Sequence, residues 1–110
     1  MATTLNLESI RRKIRRGKFT VYKHAVEEAM KDGLTGDDLL HVALNGEVIE
    51  DYPERCRCLL FAVASSDMPV HIVLDYRPEE PEIVTIYIPD KREWIKFKRR
   101  KELARRKRKL

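Results

Sequence analysis

The sequence predicts an α+β domain, with N-terminal helices packed on one side of a four-stranded antiparallel sheet and a basic segment at the C-terminus. Three observations carry this. The hydrophobic period changes at Gly46, from recurrence every three or four residues to alternation. Four extended runs then follow one another across short turn-rich stretches, which suits an antiparallel meander better than parallel strands with crossover helices. Finally, a chain of 110 residues is large enough for one core and too small for two.

Leu7, Ile10 and Ile14 lie on one stripe of a first helix, Arg11, Arg12, Arg15 and Arg16 lie elsewhere on it, and Gly17 is placed to end it. A second helix is expected from about Tyr22 to Lys31, with Tyr22, Val26 and Met30 recurring every fourth residue before Gly33. The third has the clearest signal: Thr35 as cap, Asp38 in the capping-box position, Leu40, Ala43 and Leu44 as the apolar stripe, and Asn45-Gly46 as the stop. The extended runs are EVIEDY before Pro53, RCLLFAVA before SSDMP, VHIVLDY before RPEEPE, and IVTIYI before PDKREW. After them Trp94, Ile95 and Phe97 can anchor a docked segment or helix that frays towards Leu110. The expected organisation is a basic N-terminal helix over 1–19, an α+β domain over 20–95 and a basic tail over 96–110.

VHIVLDY departs from a plain strand. Alternation puts Val70, Ile72, Leu74 and Tyr76 on one face and His71, Val73 and Asp75 on the other. A central strand buries its imidazole, so His71 needs a partner: Asp75, Tyr87 or a main-chain carbonyl would satisfy it as a core residue. An active-site imidazole is the alternative. Tyr87 ends the last strand, where its phenol can reach other polar groups or simply pack. His24 has Glu28 one helical turn on, either as a proton-sharing pair or as a solvent-facing contact. His41, between Asp37 and Asn45, reads as a surface residue.

The net charge of +5 conceals a strong polarity: residues 1–31 carry +5, residues 32–90 carry −10 and residues 91–110 carry +10. Such ends suit polyanions, or fold back onto the acidic middle. Lys96, Lys98, Arg99, Arg100, Lys101 and the terminal RRKRK, interleaved with Trp94 and Phe97, combine phosphate neutralisation with stacking surface. No apolar run reaches a membrane span and no signal segment opens the chain, so no membrane partner and a cytoplasmic location are expected. Cys56 and Cys58, one residue apart, read as reduced thiols. With His24 and His71 they match no zinc spacing, so no metal is expected. Phosphate loop, serine elbow and supported carboxylate pair are all missing, so no cofactor is expected and nucleotide hydrolysis and serine chemistry lack support.

The runs YKHAVEEAMKDGLTGDDLLHVALNGEVIEDYP, CLLFAV, MPVHIVLDY and IVTIYIPDKREW resemble, over about residues 20–95, a small prokaryotic family catalogued as a domain of unknown function. That family is similar to the clan of RelE-, ParE- and BrnT-like toxins with a barnase/RelE-type fold. The resemblance implies a toxin component, a cognate antitoxin of zinc-finger type as partner, and His24, His71 and Tyr87 as site residues. It leads to an RNA-acting protein, a metal-independent endoribonuclease in which the ribose 2′-hydroxyl attacks the adjacent phosphate of RNA, free or ribosome-bound. Such chemistry needs a base, an acid and cations: His24 or His71 as base, Tyr87 or the other histidine as acid, and Lys91, Arg92, Lys98, Arg99 and Arg100 on the RNA. The alternative is a non-catalytic module of the same fold that binds RNA or protein. It is favoured by Asp32 and Ile88, which stand where many relatives carry arginine.

Overall fold

In the computed structural model, which describes residues 4–64, 67–90 and 94–100, the elements run α1 (Leu7–Arg15), β1 (Thr20–Val21), α2 (Lys23–Lys31), α3 (Gly36–Asn45), β2 (Glu47–Tyr52), β3 (Arg57–Val63), β4 (Pro69–Asp75), β5 (Glu82–Tyr87), β6 (Trp94–Ile95) and β7 (Arg99–Arg100). A single 3₁₀ turn, Pro53–Arg55, links β2 to β3. Strands β2 to β5 form the expected antiparallel meander. The sheet has a fifth strand, however: β1 lies parallel to β5 at the edge, giving the order β1-β5-β4-β3-β2. Two residues are too few to display alternation; the Thr20 amide donates to the Pro81 carbonyl and the Tyr22 amide to that of Ile83, each at 3.0 Å. The sheet is therefore mixed, not wholly antiparallel. Of the expected docked segment or helix, the first is found: β6 and β7 make a small separate hairpin, which spans the expected boundary at 95–96; residues 101–110 lie outside the described residues.

Helix α1 starts where the Asn6 side chain accepts from the Ser9 amide at 3.0 Å. It ends in a Schellman turn: the Gly17 amide donates to the Ile14 carbonyl at 3.0 Å and the Lys18 amide to that of Lys13 at 2.9 Å. That turn needs the left-handed conformation of Gly17, φ +75°. Ile10 and Ile14 are buried, and Arg11 fastens the helix to the end of α3 by donating to the Gly46 and Ala43 carbonyls.

The stripes of α2 and α3 sit differently from expectation. On α2 the buried residues are Ala25 and Ala29, while Tyr22, Val26 and Met30 are 44%, 43% and 72% exposed. Pairing of β1 with β5 feeds the chain straight into α2 and fixes its rotation, and the small alanines let its backbone lie close to the sheet. On α3 the capping box forms as expected, Asp38 N–H to Thr35 Oγ1 at 3.1 Å and Thr35 N–H to Asp38 Oδ2 at 2.9 Å. Its buried apolar residues are Leu39, Val42 and Ala43, with Leu40 and Leu44 only partly covered. Packed against α1 on one side and β3 and β4 on the other, α3 buries a wider arc than one stripe.

Gly46 ends α3 without a left-handed turn: its φ is −66°. A Cβ there would stand 2.6 Å from the Val42 carbonyl oxygen and 3.2 Å from that of Phe61. Close approach of two backbones, not φ, demands glycine at this position. Gly46→Ala is expected to cost ~1–3 kcal/mol, read as a lower urea midpoint with an unchanged m value.

The helices cover one face of the sheet, where Leu60, Val70, Ile72, Leu74, Ile83 and Ile86 are fully buried with Ala25 and Val42. Strand pleating turns Phe61, His71 and Tyr87 to the far face. Among the described residues no helix is long and apolar enough to cross a membrane.

Candidate functional site

His71 is the middle of a row across three strands. Register places it opposite Phe61 of β3 and Tyr87 of β5. Cross-strand neighbours on one face interact directly: the His71 ring meets Phe61 edge-on at 5.9 Å between centroids and Tyr87 at 5.2 Å. Nδ1 of His71 lies 3.1 Å from the Tyr87 hydroxyl. Above the row sits the β6–β7 hairpin. Trp94, 3% exposed, places its ring 4.4 Å from that of His71 at 85°, and the Phe97 carbonyl oxygen lies 2.5 Å from Nε2. A carbonyl can only accept, so Nε2 carries a proton; in the neutral ring the bare Nδ1 then accepts from the Tyr87 O–H. The imidazole is fully buried with both nitrogens engaged.

The same face is ionic at its other end. Arg57 grips Asp75 in bidentate fashion, Nε to Oδ1 at 2.6 Å and Nη2 to Oδ2 at 3.0 Å. That hydrogen bond holds the guanidinium above its ordinary value. Glu82, opposite Asp75 in the register, accepts from the Tyr22 hydroxyl at 3.1 Å. Asp75 therefore belongs to Arg57 and not to His71.

Of the expected site residues, the structure brings His71 and Tyr87 together. His24 is elsewhere: it is exposed near the start of α2, a helix that covers the opposite face of the sheet from His71. Glu28, one turn on, pairs with Lys31 at 3.5 Å. His41 is exposed and meets the Asn45 side chain. Among the expected RNA contacts, Lys98 and Arg99 are exposed on the hairpin and Arg100 pairs with Trp94 across it, whereas Lys91 and Arg92 lie outside the described residues. Lys98 bridges back to Glu47 at 2.7 Å and stands 5.8 Å from the Phe61 ring centroid. Residues that sequence reasoning did not place in the site are Phe61, found through register, and the Phe97 carbonyl, which has no side-chain signature.

Residues 21–88, more than half of the chain, match the sequence pattern of a family described as domain of unknown function (DUF4258). The chain belongs to this DUF4258 family. The match takes in His24, His71 and Tyr87 and leaves α1 and the β6–β7 hairpin outside. No curated protein and no solved structure is significantly similar to this member of the family.

Among the described residues no group of three or more His, Cys, Asp or Glu side chains is placed to hold a metal ion. Cys56 and Cys58 are both buried, but only Cys58 is on β3; Cys56 precedes the strand in a left-handed conformation, φ 51°. Burial pushes the Cys58 thiol up to about 12, with Asp51 and Asp75 adding to the rise. Because the folded thiol stays protonated while the unfolded one ionises from 9.0 upward, its contribution is fully present below that pH and is lost as pH climbs towards about 12. Urea midpoints are expected to fall over this alkaline window, less steeply in Cys58→Ala. Iodoacetamide is expected to label Cys58 only after denaturation.

Proposed function

We propose that this DUF4258 member is a non-catalytic, RNA-binding module of toxin–antitoxin type, holding phosphates on the hairpin that covers its sheet. The observation that supports this reading is the state of His71, sealed from solvent and hydrogen-bonded at both nitrogens. An imidazole so engaged works as a staple: it fixes the hairpin, on which Lys96, Lys98 and Arg99 are exposed. The turn carrying them has two consecutive left-handed residues, Lys96 and Phe97, at φ 52° and 63°. Holding non-glycine residues there costs of order 1 kcal/mol each, and the His71 and Trp94 contacts offset that cost. Kinship with the RelE-, ParE- and BrnT-like toxins and pairing with a zinc-finger antitoxin belong to the same proposal and rest on the sequence resemblance.

The metal-independent endoribonuclease is the second reading, favoured by the direct contact of His71 with Tyr87, two groups suited to proton transfer. In it the hairpin lifts, Nε2 leaves the Phe97 carbonyl, and the imidazole reaches a ribose hydroxyl. One experiment separates the two. The full chain is mixed with labelled RNA, free and ribosome-bound, while retention and cleavage are followed together. Retention that weakens with salt and leaves the RNA intact supports the binding module. Cleavage that His71→Gln abolishes under conditions where the variant is still folded supports the enzyme, and absence of both retention and cleavage overturns both.

A further inference from the structure

We propose that the exposed face of α1 and the turn between β4 and β5 together form a second RNA site, one that takes backbone phosphates. The proposal rests on the RNA-binding reading above. Ser9, Arg12, Lys13 and Arg16 stand at i, i+3, i+4 and i+7, so one face of α1 with its C-cap Arg16 carries all four. With Lys18, Glu79 and Glu80 they line an open pocket of about 320 Å³. Four cations thus meet two carboxylates there, and the Lys13 ammonium closes the pocket by donating to the main-chain carbonyl of Glu79 at 2.5 Å rather than to a carboxylate.

The site is held in place before any ligand arrives. Arg11 ties α1 to the end of α3, Ile10 and Ile14 are buried beneath it, and the Schellman turn at Gly17 fixes the backbone of Lys18. The cations themselves are weakly committed. Arg12 reaches Glu8 only at 3.9 Å, with both side chains mostly exposed, and among the described residues neither Arg16 nor Lys18 has a carboxylate at ion-pair distance. A phosphodiester chain suits such a pocket, because guanidinium and ammonium donors take successive phosphates and the Ser9 hydroxyl adds a neutral donor. Ile10 and Ile14 of the apolar stripe of α1 are buried and Leu7 packs against the core, so the stripe is turned inward and not toward a lipid surface.

The test measures binding of a fluorescein-labelled oligouridylate by the full chain across a potassium chloride series. Removing two contacts to a single strand should cut the slope of log K against log salt by about 1.4, the result expected of the Arg12→Gln/Arg16→Gln double variant. Arg15→Gln, which removes a charge from another face of α1, should change slope and affinity far less. Glu79→Gln should tighten binding. Equal losses in the double variant and in Arg15→Gln, scaled per charge, would overturn the site in favour of diffuse charge. Competition by oligoglutamate as effective as RNA at matched charge would overturn it in favour of an acidic protein partner. If Lys98→Gln/Arg99→Gln weakens binding and the α1 variant does not, this site falls while the hairpin reading stands; if the unaltered chain retains no oligonucleotide, both fall.

Discussion

Trp94→Ala is expected to lower stability by ~3–5 kcal/mol, the range for truncating a buried tryptophan to alanine, and to free the hairpin from the sheet. A hairpin with two residues in each strand has almost no stability of its own. What holds it is Trp94, 3% exposed and edge-on to His71, together with the Phe97 carbonyl on Nε2 and the half-exposed Lys98–Glu47 bridge. The bridge is worth little in solvent, so the indole carries most of the docking. Once undocked, His71 becomes accessible. Two measurements check this: a large fall in the urea midpoint, and diethyl pyrocarbonate reacting at His71 in the folded variant but not in the native chain. A loss under 1 kcal/mol, with His71 still protected, would mean that the hairpin is held by something other than Trp94. Because Trp94 is the only tryptophan, native fluorescence reports hairpin docking directly, and it should change on RNA binding if the hairpin takes part.

What the sequence reveals follows from how strongly each element marks itself. The four meander strands are extended runs of six or seven mostly apolar and β-branched residues punctuated by Pro53, Pro69, Pro78 and Pro81, so their existence and order are legible. Strand β1, two residues long, leaves no pattern. The rotation of α2 was hidden because Ala25 and Ala29 contribute weakly to any hydrophobic count, whereas Tyr22, Val26 and Met30 dominate it while standing partly in solvent. At the site the side chains of His71 and Tyr87 are visible as polar groups at strand positions, and register then pairs them. The acceptor on the other imidazole nitrogen is a main-chain carbonyl 26 residues away, and no residue type announces it. The cationic face of α1 is likewise readable as a helix, but its meeting with Glu79 and Glu80 needs the β4–β5 turn in three dimensions.

The second large effect is expected at His71. His71→Gln removes an imidazole that is fully buried between Tyr87, Trp94, Phe61 and the Phe97 carbonyl. A glutamine amide reaches one of the two polar partners, so one buried group is left unmet at a cost of ~1–3 kcal/mol. For a domain of this size that is about 4–8 °C in Tm for each kcal/mol. Tyr87→Phe also leaves one buried group unmet, since Nδ1 loses its donor, but it keeps the ring contacts and the Nε2 bond to Phe97, so its cost should fall at the lower end of the same ~1–3 kcal/mol. His24→Gln should leave Tm unchanged, because His24 is exposed on the other side of the sheet. This ranking separates the two functional readings. A staple histidine makes RNA affinity fall in step with hairpin docking, so raising the concentration of folded protein or adding a stabilising osmolyte restores binding to His71→Gln. A proton-transferring histidine makes cleavage disappear even where His71→Gln is fully folded, and no osmolyte restores it. Loss of cleavage in both His71→Gln and His24→Gln while each variant is fully folded would require the two histidines to meet around one substrate across the sheet that separates them, and would overturn the staple.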